Sequence, residues 1–218
     1  MINKEIEING KTLKISTGQV AKQAAGSVMV SYGETTIIVA VNAAREIRED
    51  IDFFPLQVEY RERHYAGGKI PGGFFKREAR PSEREVLTSR LTDRPIRPLF
   101  PKSFKYETQV IITVLTTDGE NPADVLAGVG ASAALMISNI PWNGPIATVR
   151  LAKVNDDFVV NPTKDQMEES SMELVVSGNK DTIVMVEGEA DLISEDVFVE
   201  ALKFAHEDIK KIIALQEE

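Results

Sequence analysis

The sequence predicts an α+β fold with a mixed sheet, because its strands come in pairs joined by tight turns while its helical segments come singly. Ile6 and Ile8, then Leu13 and Ile15, alternate around Asn9-Gly10, two residues that both tolerate positive φ. Val28–Val30 and Thr36–Val41 flank Gly33-Glu34 in the same way. Two long helical patterns come later in the chain, one almost wholly apolar and one amphipathic.

Taken in order, Phe54–Tyr60 reads as a further strand, and from Arg61 to Gly73 the pattern dissolves into a loop with Gly67-Gly68 and Gly72-Gly73. Those glycines lack the spacing and the following Lys-Ser/Thr of a phosphate loop, so flexibility is their expected role. Ser82 caps a helix from about Glu83 to Arg94, with Glu83 and Glu85 well placed in its first turn and Pro95 and Pro98 ending it. Gln109–Thr116 is a β-branched strand. Asn121-Pro122 reads as an N-cap with proline opening the apolar helix Ala123–Ser138, whose Ala and Gly content allows close backbone approach. Ile146–Lys153 and Phe158–Val160 form a hairpin across Asn155-Asp156, and Thr163 with Gln166 is a capping box. Glu173–Ser177 and Thr182–Glu187 pair across Gly178-Asn179. Ser194 to about Leu215 is the amphipathic helix, with Val197, Phe198, Ala201, Leu202, Ala205, Ile209, Ile212 and Ile213 on its apolar side. The expected organisation is one domain over residues 1–190, with 191–218 a helix that packs on it or begins a connector. The pattern stops inside a helix without a glycine stop signal.

Composition excludes several classes. No apolar run reaches the roughly 18–20 residues of a membrane span, and the first residues have neither signal nor transit character. The absence of cysteine rules out disulfides and thiolate metal sites and fits a cytoplasmic location. His64 and His206 are too few for a histidine metal centre, and surface or packing roles are expected for both.

Charge is unevenly spread. The chain carries a formal −9, yet residues 61–105 hold twelve Lys/Arg against five Asp/Glu and eight of the eleven arginines. Guanidinium suits phosphate because its planar fork donates two parallel hydrogen bonds and keeps its charge. In the same window Phe74-Phe75-Lys76-Arg77 sets two rings beside two cations after Gly72-Gly73, the pairing of stacking surface and phosphate neutralisation that single-stranded nucleic acid needs.

The stretch Gly72-Gly73-Phe74-Phe75-Lys76-Arg77-Glu78-Ala79-Arg80-Pro81-Ser82-Glu83 resembles the aromatic-basic loop of the first RNase PH-like domain of the polynucleotide phosphorylase family. The likeness extends through Arg90–Pro101, Asp124–Leu135 and Ile140–Pro145. It implies an RNase PH-like (ribosomal protein S5 domain 2-like) fold. It also implies a homotrimeric ring that degrades single-stranded RNA from its 3′ end with inorganic phosphate and Mg²⁺, releasing nucleoside diphosphates, and that can join a larger RNA-degradation assembly. In the family two RNase PH-like domains are joined by a helical linker and followed by K-homology and oligonucleotide-binding domains. This chain is similar to the first domain and the start of the linker.

By the same resemblance, Phe74, Phe75, Lys76, Arg77, Arg80, Arg90, Arg94 and Arg97 are the expected RNA contacts. Lys76 stands where the family often has Arg, which keeps charge but loses the bidentate fork. No catalytic or metal-binding residue is expected here. The turn that cradles phosphate in active members reads Asp118-Gly119-Glu120-Asn121-Pro122, and of two family carboxylates spaced six apart only Glu173 remains, Met167 replacing the other. Mg²⁺ is therefore expected to serve the intact enzyme from elsewhere. Blander readings stay open: the rings as core anchors, the α-helical arginines as partners of Glu83, Glu85 and Asp93, and Arg150 either facing the active-site region or pairing structurally. The alternative function is a non-catalytic RNA-binding or scaffold subunit of an exosome-like ring.

Overall fold

A computed structural model describes residues 1–48 and 51–218. Among these described residues, ten strands form two sheets. In the first, β1 (Ile2–Ile8), β2 (Lys11–Thr17), β3 (Gly26–Tyr32), β4 (Thr35–Ala43), β5 (Leu56–Glu62) and β6 (Thr108–Thr116) lie in the order β1-β2-β3-β4-β6-β5. All neighbours there are antiparallel except β5 and β6, which run parallel because α1 (Glu83–Ile96) crosses between them. The second sheet orders β7 (Ala147–Val154), β8 (Asp157–Val160), β9 (Met172–Gly178) and β10 (Ile183–Ala190) as β10-β9-β7-β8, all antiparallel. The α+β class and the four hairpins expected from the sequence are present. The parallel β5–β6 pair is the addition.

Helices fill the space between the sheets. α2 (Asp124–Met136) packs on β3 and β4 on one side and on β7 on the other. α4 (Glu195–Glu217) bridges β1 and β7, and α1 bridges β5 and β10. This explains the composition of α2: with sheet on both sides, every residue from Asp124 to Leu135 is buried. A Cβ at Gly128 would lie 2.3 Å from Thr148 Oγ1, so only hydrogen fits where helix and strand meet. Alternate residues Ile37, Val39 and Val41 of β4 and Val110, Ile112 and Val114 of β6 face this layer, all buried. Ala201, Ala205, Ile209, Ile212 and Ile213 of α4 join the same apolar cluster.

Local signals are visible at atomic level. Ser82 accepts from Glu85 N–H while the Glu85 carboxylate accepts from Ser82 N–H, and Thr163 with Gln166 repeats this reciprocal cap at α3 (Lys164–Glu168). Three expectations shift. β5 starts at Leu56, because Phe54 turns into an aromatic cluster with Phe100 and Phe104. α1 runs through Pro95, losing one backbone donor but continuing because Arg97 N–H still bonds the Asp93 carbonyl, and a 3-10 turn follows at Arg97–Leu99. Asn121 does not cap α2: its amide donates to Asp118 Oδ2 and accepts from Lys11 Nζ, and the helix opens two residues after Pro122.

Candidate nucleic-acid interface and adjoining cleft

The segment that follows β5 passes through a 3-10 turn at His64–Gly67 and then leaves the body of the protein. Phe74 is 94% exposed and Phe75 80%, with ring centroids 5.4 Å apart and planes at 85°. Neither ring is a core anchor. Lys76, in a left-handed backbone conformation (φ 47°), and Arg77 and Arg80 are exposed and make no ion pair among the described residues. Two rings with open faces and three uncommitted cations thus share one projecting loop.

The three arginines further along behave differently. Arg90 is exposed and unpaired among the described residues. Arg94 pairs with Glu187 of β10. Arg97 makes four hydrogen bonds within the protein: to both Asp93 carboxylate oxygens at 2.8 and 2.7 Å, and to the carbonyls of Phe54 at 3.2 Å and Leu56 at 3.1 Å. It is a strut between the end of α1 and the approach to β5. Phosphate contact at Arg94 or Arg97 would compete with these bonds; Arg97 pairs with Asp93 as in the blander reading, whereas the partner of Arg94, Glu187, is none of the three carboxylates that reading named.

Beside the loop, at the end of the first sheet where β5 and β6 finish, lies an open cleft of about 910 Å³. Arg84, Asp124, Arg150, Met167 and Glu173 all line it, so Met167 and Glu173 meet there with the 118–122 turn. Its charges cancel internally. Arg150 faces Val175 across the β7–β9 pair, and Glu173, two residues along β9, shares its face. The Arg150 guanidinium bonds the Glu173 carboxylate through Nη1 and Asp124 Oδ2 at 2.7 Å through Nη2. Asp124 also accepts from Val125 N–H at 2.8 Å. Arg150 therefore both faces the cleft and pairs structurally. A divalent cation needs oxygens from both carboxylates, and a resident guanidinium already occupies one oxygen of each while Met167 adds only a thioether. The donor set does not fit Mg²⁺, and among the described residues no three His, Cys, Asp or Glu converge as a metal site.

The turn from Asp118 to Asn121 forms another wall of the cleft, and its donors point inward. Asp118 accepts from the N–H groups of Glu120 and Asn121, the Asn121 amide and the Thr35 hydroxyl. Burial alone would raise the Asp118 carboxyl, but these hydrogen bonds outweigh it and hold the group well below the usual carboxylate range. A depressed folded pKa stabilises above the unfolded value of about 3.9, and the contribution is lost progressively as pH falls from there through the folded value. Asp118→Asn should lower stability by about 1.5–3 kcal/mol at pH 7. Its difference from the parent should shrink below about pH 4, as urea titrations at both pH values would measure.

Sequence reasoning missed Asp124 and the ion triad, because these pairs join residues far apart in the chain. It also read Asn121 as a cap, although an Asp three residues before an Asn after a strand is a recognisable turn signal.

Models of the 3′ exoribonuclease family match along most of the chain, domain 1 over residues 9–141 and domain 2 over residues 144–208. Their junction falls between α2 and β7, where the first sheet gives way to the second. The polyribonucleotide nucleotidyltransferase of Thermomicrobium roseum is 56% identical over 213 residues, 98% of this chain and 27% of that protein. That of Thermus thermophilus is 52% identical over 98% of this chain and 30% of its own length. The chain thus spans about three tenths of the length of these relatives. An archaeal exosome core has the same fold, with a TM-score of 0.71 at 21% identity over 94% of this chain and 86% of that one. With both domain models matched in order on one continuous core, this chain belongs to the 3′ exoribonuclease family.

Proposed function

We propose that this chain is the RNA-guiding, non-catalytic RNase PH-like part of a 3′-to-5′ phosphorolytic exoribonuclease. The intact enzyme degrades single-stranded RNA to nucleoside diphosphates with inorganic phosphate and Mg²⁺ as a homotrimeric ring in the cytoplasm. The observation that carries this reading is the projecting loop, where the open rings of Phe74 and Phe75 stand beside Lys76, Arg77 and Arg80. Bases stack on the rings and backbone phosphates meet the cations, a combination that grips any sequence. Arg90 extends the same basic path along α1. The non-catalytic part is supported by the Arg150 triad and Met167, which leave the two carboxylates tied to a guanidinium rather than free for a metal. The role of Mg²⁺ then belongs to residues outside this chain. The same neutralised cleft also favours the second reading, a non-catalytic RNA-binding subunit of an exosome-like ring.

Equilibrium binding of labelled single-stranded RNA across a salt series tests the loop. Each phosphate contact contributes about 0.7 to the log–log salt slope on single strands. Replacing Lys76, Arg77 and Arg80 together by Ala should therefore flatten the slope by about 2. An unchanged slope would show that the loop cations do not meet phosphate.

A further inference from the structure

The projecting loop has almost nothing to hold it in place. From Gly72 to Arg84 every residue is exposed, Ile70 is 89% exposed, and Gly72-Gly73 precede the rings. Among the described residues, Glu78 makes the only hydrogen bonds that join residues 70–81 to the body of the protein. Both go to His64, in the 3-10 turn at the end of β5. Glu78 Oε1 accepts from His64 N–H at 3.2 Å, and Oε2 lies 3.0 Å from His64 Nδ1. The two oxygens thus hold backbone and ring of one residue, and a pocket of about 240 Å³ closes behind them. We infer that Glu78 and His64 form a clasp that positions the Phe74–Phe75 tip for RNA, Glu78 being a positioning residue rather than a contact. This rests on the reading of the loop as an RNA grip.

Physical chemistry gives the clasp a pH signature. The groups facing it are Arg61 and Glu62 of β5, Arg63 beside the turn, Arg80 of the loop and Glu85 of α1. The hydrogen bond from the His64 ring, with its N–H and the charge of Arg63, holds the Glu78 carboxyl below its usual range. Glu78 therefore stays ionised at neutral pH and loses its hold only in acid solution, as its carboxyl takes up a proton.

The test places a reporter on the tip: Phe74→Trp in a Trp142→Phe background, read by tryptophan anisotropy, with binding of a labelled single-stranded oligoribonucleotide measured alongside. Glu78→Ala should lower tip anisotropy and weaken binding by about threefold to tenfold. The salt slope and urea midpoint should stay as in the parent. Glu78→Gln, which keeps an acceptor for the His64 N–H, should recover part of the loss. His64→Ala, which removes the ring but keeps the backbone N–H, should lower tip anisotropy less than Glu78→Ala. Unchanged anisotropy in Glu78→Ala would overturn the clasp. The Phe74→Ala/Phe75→Ala variant separates the two ideas: if it binds RNA like the parent, the aromatic grip fails, and the anisotropy result alone decides the clasp.

Discussion

Replacing Arg150 by Met is expected to destabilise the protein by about 3–5 kcal/mol, because it strands two carboxylates that were desolvated around one cation. Asp124 and Arg150 side chains are only 9% and 12% exposed, and Glu173 29%, so water does little to replace the lost guanidinium. The urea midpoint at pH 7 should drop accordingly. Adding Asp124→Asn and Glu173→Gln to Arg150→Met should recover most of the loss, since the penalty lies in the unpaired charges rather than in lost packing. A single variant as stable as the parent would show that the triad is open to water and that the cleft is less neutralised than its geometry requires.

The second large effect concerns RNA. Removing a stacking ring typically costs about 1–3 kcal/mol per base. Phe74→Ala/Phe75→Ala should therefore weaken binding of single-stranded RNA by at least about tenfold. Because the rings are 94% and 80% exposed, the urea midpoint should be unchanged. The salt slope should also hold, in contrast to the loop-cation variant, which flattens it. Wild-type affinity in the double variant would make the rings structural or idle and would remove the central support for the proposed role.

The legible and illegible parts of this protein divide along physical lines. Hairpins at Asn9-Gly10 and Gly33-Glu34, the caps at Ser82 and Thr163, and the all-apolar α2 could be read because their causes are local: turn conformation, reciprocal hydrogen bonds and periodic burial. The Phe74–Phe75 loop was legible as rings set beside cations after two glycines, and the resemblance to a family tipped the choice from core anchors to exposed rings. What stayed hidden were contacts made by topology. The parallel β5–β6 pair places residues 62–69 beside 117–124, and the β7–β9 register sets Glu173 beside Arg150. Arg97 illustrates the limit best, since helical spacing set it on a basic stripe while the chain leading into β5 supplied two carbonyls that claim it.

The central claim, that this chain grips RNA without cleaving it, is tested most directly by one incubation. The 218-residue protein is mixed with poly(A), inorganic phosphate and Mg²⁺, and both retained RNA and released ADP are measured over time. The account predicts poly(A) held by the protein with no phosphate-dependent release of ADP. Steady, phosphate-dependent ADP release would contradict it, placing a working catalytic site in a cleft whose carboxylates Arg150 was argued to silence.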